Sequence, residues 1–338
     1  MIVEMKKRTP QEEVSCVVEK AKSLGFEVQL NVGTDKTVVA ILGSATGKTP
    51  IDIFAVLPGV ESVTRIMKPY KLSSREFKSE NTKISVGGVE IGGERIVVVA
   101  GPCAVENEEQ LMQAAIGVKK AGADILRGGA FKPRTSPFSF QGLKKAGLEL
   151  LKTTSQRCGM PVVTEIVDTC DVELFSEYVD IIQIGSRNMQ NYSLLTAVGK
   201  TNRPVVLKRG FSCTVTEWLT AADYILAEGN PNVILCERGI RTFEDSTRFS
   251  LDISSIPVIK KFSHLPIIVD PSHAAGHYSL VPALAKGAIA AGADGLMIEV
   301  HPNPREALVD GLQSLTLSDF SRLMSELGPL AGSVARLV

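Results

Sequence analysis

Residues 95–129 read RIVVVAGPCAVENEEQLMQAAIGVKKAGADILRGG, and the pattern of this stretch decides the fold. An unbroken apolar run at 96–100 is followed by a helix-length amphipathic segment and then by a second short apolar run at 125–126. A strand wet on one face would alternate apolar and polar residues. A continuous Val/Ile/Leu run instead marks a strand buried on both faces, as in a parallel sheet covered by helices. Further runs of the same kind lie at 162–164, 181–184, 205–207, 233–235, 267–269 and 296–298. Eight strand–helix units within about 240 residues predict an α/β fold, a (β/α)8 TIM barrel, in preference to an open doubly wound sheet.

Upstream of the barrel the pattern changes. Residues 84–91 alternate around Gly87-Gly88, which predicts a hairpin. The first 70 residues predict strands at 2–5, 26–32, 37–42 and 60–67 and helices at 10–24 and 49–57. That order is βαββαβ, the ferredoxin-like arrangement. Residues 31–35 supply turn formers between the middle strands, and Pro58-Gly59 ends the second helix. The polar stretch from Lys68 to Thr82 reads as a connection, so the chain divides into an N-terminal ferredoxin-like domain at 1–70, a linker at 71–82 and a catalytic barrel at 83–338.

Lys+Arg and Asp+Glu each number 37 in the 338 residues, so there is no net field to attract nucleic acid or an anionic membrane surface. Any anion site must be a local cluster. Six scattered cysteines without a CxxC pair fit reduced thiols in a cytoplasm, and no apolar run reaches the ~20 residues of a membrane helix.

In a barrel of this kind the residues following each strand form the active face. Here those positions hold Cys103, Arg127, Glu165, Arg187, Lys208, Arg238, His273 and Glu299. Four of the eight are cations, and the loop after the second strand adds Lys132-Pro133-Arg134-Thr135-Ser136, with two more cations and two hydroxyls. Like charges gathered on one rim repel unless a polyanionic ligand offsets them, and Arg is suited to bidentate contact with phosphate and carboxylate. Arg127, Lys132, Arg134, Thr135, Ser136, Arg187, Lys208 and Arg238 are therefore the candidate anion-binding residues. Arg209 and Arg241 have no clear strand-end role and read as solvated surface charges.

Cys103, His273, Glu299 and Asp310 make a second constellation, a mixed thiolate, imidazole and carboxylate set that could hold Mn, Fe, Co or Zn. Spacing alone leaves alternatives open: a buried Cys is commonly a small hydrophobe, and His277 and His301 compete as ligands.

Taken together, Gly101-Pro102-Cys103, Leu126-Arg127-Gly128-Gly129-Ala130, the Lys132–Pro137 loop and Gln183-Ile184-Gly185-Ser186-Arg187-Asn188 carry a resemblance. Leu207-Lys208-Arg209-Gly210, Cys236-Glu237-Arg238-Gly239, Asp270-Pro271-Ser272-His273 and Ile298-Glu299-Val300-His301-Pro302 extend it. In order and across the whole barrel they resemble 3-deoxy-D-arabino-heptulosonate 7-phosphate (DAHP) synthase, in the branch that carries a ferredoxin-like, ACT-type N-terminal domain. Ser186 departs from the Ala common there. The resemblance implies condensation of phosphoenolpyruvate with erythrose 4-phosphate and water, releasing phosphate, as the first step of the shikimate pathway.

It implies a divalent metal ion held by Cys103, His273, Glu299 and Asp310. Phosphoenolpyruvate would be held by Arg127, Lys132, Arg187, Lys208 and Arg238, and the sugar phosphate by Arg134 and Thr135. Lys132, Glu165 and Lys208 would serve in proton transfer, and Cys103 and His273 in catalysis through the metal. It further implies tyrosine or phenylalanine as a feedback inhibitor and a homotetramer. The sister family, 3-deoxy-D-manno-octulosonate 8-phosphate synthase, uses arabinose 5-phosphate and carries Asn where this chain has Pro133. A class I aldolase using Lys208 as a Schiff base, and a barrel that merely senses amino acids, are the other readings.

Overall fold

A computed structural model of the chain describes residues 1–33, 36–65 and 68–338. Thr34 and Asp35 of the expected turn, and Ile66 and Met67 of the expected fourth strand, lie outside the described residues. The chain forms two compact units, Met1–Asn81 with Phe262–His264 and Thr82–Lys261 with Leu265–Val338.

The first unit is built from β1 (Ile2–Met5), α1 (Gln11–Ser23), β2 (Glu27–Val32), β3 (Thr37–Leu42), α2 (Asp52–Ala55) and β4 (Val60–Thr64). Its antiparallel sheet has the order β2-β3-β1-β4, the ferredoxin-like topology. Alternation sends Val3 and Met5 of β1 to one face, where they meet Val14, Val17 and Ala21, the apolar stripe of α1 at helical spacing. The second helix is shorter than the expected 49–57. Pro50 disfavours the helical region for Thr49, so α2 closes only one turn, with Phe54 fully buried beneath it.

In the second unit the hairpin β5 (Ile84–Val86) and β6 (Val89–Ile91) precedes eight parallel strands. These are β7 (Val97–Gly101), β8 (Ile125–Arg127), β9 (Val162–Ile166), β10 (Ile181–Ile184), β11 (Val205–Lys208), β12 (Val233–Glu237), β13 (Ile267–Val269) and β14 (Gly295–Glu299). They close on themselves, with β14 pairing β7 in parallel from Gly295↔Val97 to Glu299↔Gly101. The outer layer comprises α3 (Glu108–Lys120), α4 (Lys145–Cys158), α5 (Val172–Tyr178), α6 (Tyr192–Gly199), α7 (Val215–Ala227) and α8 (Ser255–Phe262), then, after the short α9 (Pro271–Ala275) at the C-terminal end of β13, α10 (Val281–Ala290) and α11 (Leu317–Ser333).

Val97, Val99, Ile125, Val163, Ile181, Val206, Ile234, Ile268 and Met297 fill the barrel and form one cluster with Ile84, Val86 and Ile91 of the hairpin. A Cβ on Gly87 or Gly92 would meet Pro161 or Pro266, which stand just before β9 and β13. The hairpin therefore covers the N-terminal ends of the strands and leaves the C-terminal ends for a site. Among the described residues no helix is long and apolar enough to cross a membrane, and all six cysteines are free.

Candidate active site

The C-terminal strand ends gather four donor atoms. Cys103 lies two residues past β7, His273 in the first turn of α9, Glu299 at the end of β14 and Asp310 in the loop beyond it. One ligand atom from each lies within 4.8 Å of every other. Cys103 Sγ is 3.4 Å from Asp310 Oδ2, while His273 Nε2 is 3.4 Å from Glu299 Oε1 and 3.9 Å from Asp310 Oδ2. Atoms each about 2.0–2.3 Å from a shared tetrahedral ion stand roughly 3.3–3.8 Å apart, so the separations suit a transition-metal ion. The rival histidines do not join the cluster. His277 bonds Ser279 on the surface, and His301 faces Glu106 at 3.5 Å.

The ligands are oriented from behind. Asp270 caps α9 by accepting His273 N–H at 2.9 Å, and its other oxygen takes His273 Nδ1 at 2.7 Å, which leaves Nε2 facing the cluster. Lys208 Nζ donates to that same Asp270 oxygen. Arg127 Nη1 donates to Glu299 Oε1 at 2.8 Å and Gln313 Nε2 to Oε2 at 2.6 Å. Burial alone would raise the Glu299 carboxyl, but His273 and Arg127 outweigh it and bring the pKa down to about 2. Burial and the Glu299 charge push the Cys103 thiol upward, so a cation at the cluster is what would favour its thiolate form.

Beside the cluster lies a cavity of about 150 Å³ lined by Lys132, Pro133, Arg134, Thr135, Glu165, Arg187, Phe211, Arg238, Arg248, Phe249, His273 and Asp310. Lys132 Nζ donates to the Cys103 carbonyl at 2.9 Å and lies 3.1 Å from its sulfur. Burial would lower this ammonium, but the Cys103 sulfur and the Glu165 and Glu299 carboxylates raise it above its ordinary value. Gly129 is required there, since a Cβ would lie 2.5 Å from the Cys103 carbonyl and 2.9 Å from Lys132 Nζ. Glu165 accepts from Gln183 Nε2 at 3.2 Å.

Arg238 is a buried charge with little compensation. It stacks 4.1 Å from the Phe249 ring centroid and 4.9 Å from that of Phe211. Its Nε and Nη1 are buried with no hydrogen-bond partner among the described residues. Desolvation, only partly offset by Asp270, lowers it to about 10. A buried guanidinium with idle donors facing a cavity is a site for an anion.

The other expected residues fall into different settings. Arg127 and Lys208 are buried in ion pairs and do not line the cavity, whereas Arg187 is exposed and does. Arg134 and Thr135 line it, and Ser136 stands exposed farther along the loop, its hydroxyl accepting from Phe138 N–H. Arg209 is corrected outright. It is 4% exposed and pairs with Glu237 at 2.9 Å and Asp252 at 2.7 Å. Sequence reading missed Arg248, Phe249 and Gln313, which lie away from any strand end, and Phe211, which follows β11 by three residues but carries no polar group to mark it. Asp270 had a signal, three residues before His273 at a helix start.

Comparison with known proteins gives two family matches, the DAHP synthetase I family over residues 76–331 and the DAHP synthase ferredoxin-like domain over residues 1–68. A phospho-2-dehydro-3-deoxyheptonate aldolase of Thermotoga maritima is 49% identical over 334 residues, covering 99% of this chain and 98% of that protein. The crystal structure titled as that Thermotoga enzyme (DAHP synthase) superposes with a TM-score of 0.80 at 49% identity, over 100% of this chain and 98% of the other. A 2-dehydro-3-deoxyphosphooctonate aldolase of Geobacter sulfurreducens is 33% identical over 270 residues, 72% of this chain and 96% of that protein.

Proposed function

The chain belongs to the DAHP synthetase I family, and on that premise we propose that its barrel condenses phosphoenolpyruvate with erythrose 4-phosphate and water to give DAHP and inorganic phosphate, the entry reaction of the shikimate pathway. One observation carries this reading: a single cavity lined by Lys132, Arg134, Arg187, Arg238 and Arg248 lies beside the four-donor cluster of Cys103, His273, Glu299 and Asp310. Two phosphates and one carboxylate among the substrates match such a concentration of cations.

Arg238 and Arg187 hold phosphoenolpyruvate with Lys132, while Arg134 and Thr135 hold the phosphate of the sugar. Arg127 and Lys208 act from behind, by fixing Glu299 and Asp270. The cluster suits Mn, Fe, Co or Zn, and the ion when bound supplies Lewis-acid polarisation of the aldehyde oxygen. Lys132, raised in pKa, keeps its proton on Nζ near neutrality and delivers it to the aldehyde oxygen as C3 of phosphoenolpyruvate attacks. The Glu165 carboxylate orients the water that adds at C2 and accepts its proton. Cleavage of the bond from C2 to the phosphate oxygen, as the C2 hydroxyl becomes the ketone and passes its proton to the departing phosphate, then releases inorganic phosphate, whose charge Arg238 balances.

The 33% identical octonate aldolases favour a second reading with arabinose 5-phosphate as acceptor. Pro133 in the Lys132–Ser136 loop supports the four-carbon sugar. Phosphate release measured with phosphoenolpyruvate and each aldose in turn tests this: turnover is expected with erythrose 4-phosphate, and a preference for arabinose 5-phosphate would overturn the assignment. Residues 1–70, which contribute none of the cluster donors, we read as a regulatory domain joined through 71–82 to the catalytic barrel at 83–338. It makes the enzyme a target of tyrosine or phenylalanine within a cytoplasmic homotetramer.

A further inference from the structure

Two ligands of the cluster lie in regular elements, His273 in α9 and Glu299 in β14, and Cys103 lies two residues past β7, but Asp310 sits in the loop beyond β14, with φ 54° and ψ 32° in the left-handed region that few side chains other than Asn and Asp adopt. Something must hold that loop in register with Cys103. Glu106, three residues after Cys103, is placed to do so. Its Oε1 accepts Leu308 N–H at 2.8 Å, two residues before Asp310. Its Oε2 lies 3.5 Å from His301 Nε2, at the root of the same loop.

His301 Nδ1 accepts Asn303 N–H at 3.1 Å, so the ring proton sits on Nε2, the nitrogen on the Glu106 side. That nitrogen is buried and has no hydrogen-bond partner among the described residues, with the Glu106 carboxylate standing 3.5 Å away. Val309 packs with Cys103 and Ala104, closing the gap between the same two segments. One carboxylate on the Cys103 segment thus bonds the loop that delivers Asp310 at Leu308 and lies against its root at His301.

We propose that Glu106, paired with His301, is a positioning residue that sets the separation of Cys103 and Asp310 and thereby the affinity of the cluster for a divalent cation. The proposal rests on the reading of the cluster as a cation site. Outer partners of ligands typically change metal affinity 10- to 100-fold, and Glu106 acts on two segments together.

The test titrates metal-free, full-length protein with Co2+ alone, following the near-ultraviolet thiolate-to-cobalt absorption that requires Cys103 as a ligand. Glu106→Ala is expected to weaken Co2+ binding by about tenfold or more. Glu106→Gln, which keeps an acceptor for Leu308 N–H, is expected to lose less, and a melting curve of the metal-free protein separates this from general destabilisation. If Glu106→Ala does not fold, His301→Ala, which leaves the Leu308 bond, is expected to weaken binding in the same assay. A thiolate band in the parent with Glu106→Ala, or with His301→Ala in its place, binding within twofold of it would overturn the positioning role alone. No thiolate band in the parent would remove the cation reading and the proposal with it.

Discussion

Gly185→Ala isolates the contribution of Glu165 without touching its chemistry. Gly185 has φ −71° and ψ 162°, a conformation alanine adopts freely, so no backbone strain is introduced. A Cβ at that position would lie 1.9 Å from Glu165 Oε1, where ordinary contact begins at 3.4 Å. The carboxylate must therefore retreat by about 1.5 Å, giving up its hydrogen bond from Gln183 Nε2.

The retreat costs the fold little, about 1 kcal/mol for one hydrogen bond, because the far end of a flexible side chain can move. It costs the reaction more. A displacement of about 1 Å in a positioned group can lower the rate roughly 100-fold, or about 2.7 kcal/mol of barrier. Steady-state phosphate release should show kcat falling by about that factor while Co2+ affinity and the melting midpoint stay near the parent values. Combining Gly185→Ala with Glu165→Ala should add almost nothing to Glu165→Ala alone. A kcat within about threefold of the parent, or fully additive losses, would refute a role for Glu165 at that position.

Exhaustive chelation should abolish turnover and added Mn2+ or Co2+ restore it, whereas Cys103→Ala should resist restoration; full activity after chelation, checked by metal analysis, would discard the cation reading. Arg134→Ala should raise the KM for erythrose 4-phosphate by at least tenfold more than that for phosphoenolpyruvate, and equal effects would undo the division of the two anion regions. Arg209→Met leaves Glu237 and Asp252 without their buried partner and should destabilise the fold by about 3–5 kcal/mol, read as a lowered denaturation midpoint. Removing residues 1–70 should leave condensation intact and abolish inhibition by tyrosine or phenylalanine, as measured by phosphate release at rising inhibitor concentration.

The barrel was legible because burial on both faces writes itself into composition: strands such as Val205–Lys208 and Val233–Glu237 are buried at every residue, and eight such runs separated by helix-length segments favour a closed barrel over an open sheet. Which way a charge at the end of a strand turns was less legible. Lys208 and Arg209 are neighbours in sequence and both are 4% exposed, yet the pattern reads Lys208 as an anion-binding residue and Arg209 as a solvated surface charge. Strand alternation parts them. Lys208 reaches Asp270 behind His273, while Arg209 is taken by Glu237 and Asp252 and lies 5.8 Å from the Trp218 ring of α7.

A sequence pattern can report that cations collect at strand ends, but which are compensated depends on carboxylates far away along the chain. Arg127 finds Glu299 172 residues on and Arg209 finds Asp252 43 residues on, whereas Arg238 keeps two buried donors with no hydrogen-bond partner among the described residues. That inequality gives the site its direction. Paired cations hold carboxylates in place, and Arg238, only partly compensated, lying over two aromatic rings that stack on each other and facing the cavity, is a cation whose burial becomes favourable when an anion arrives.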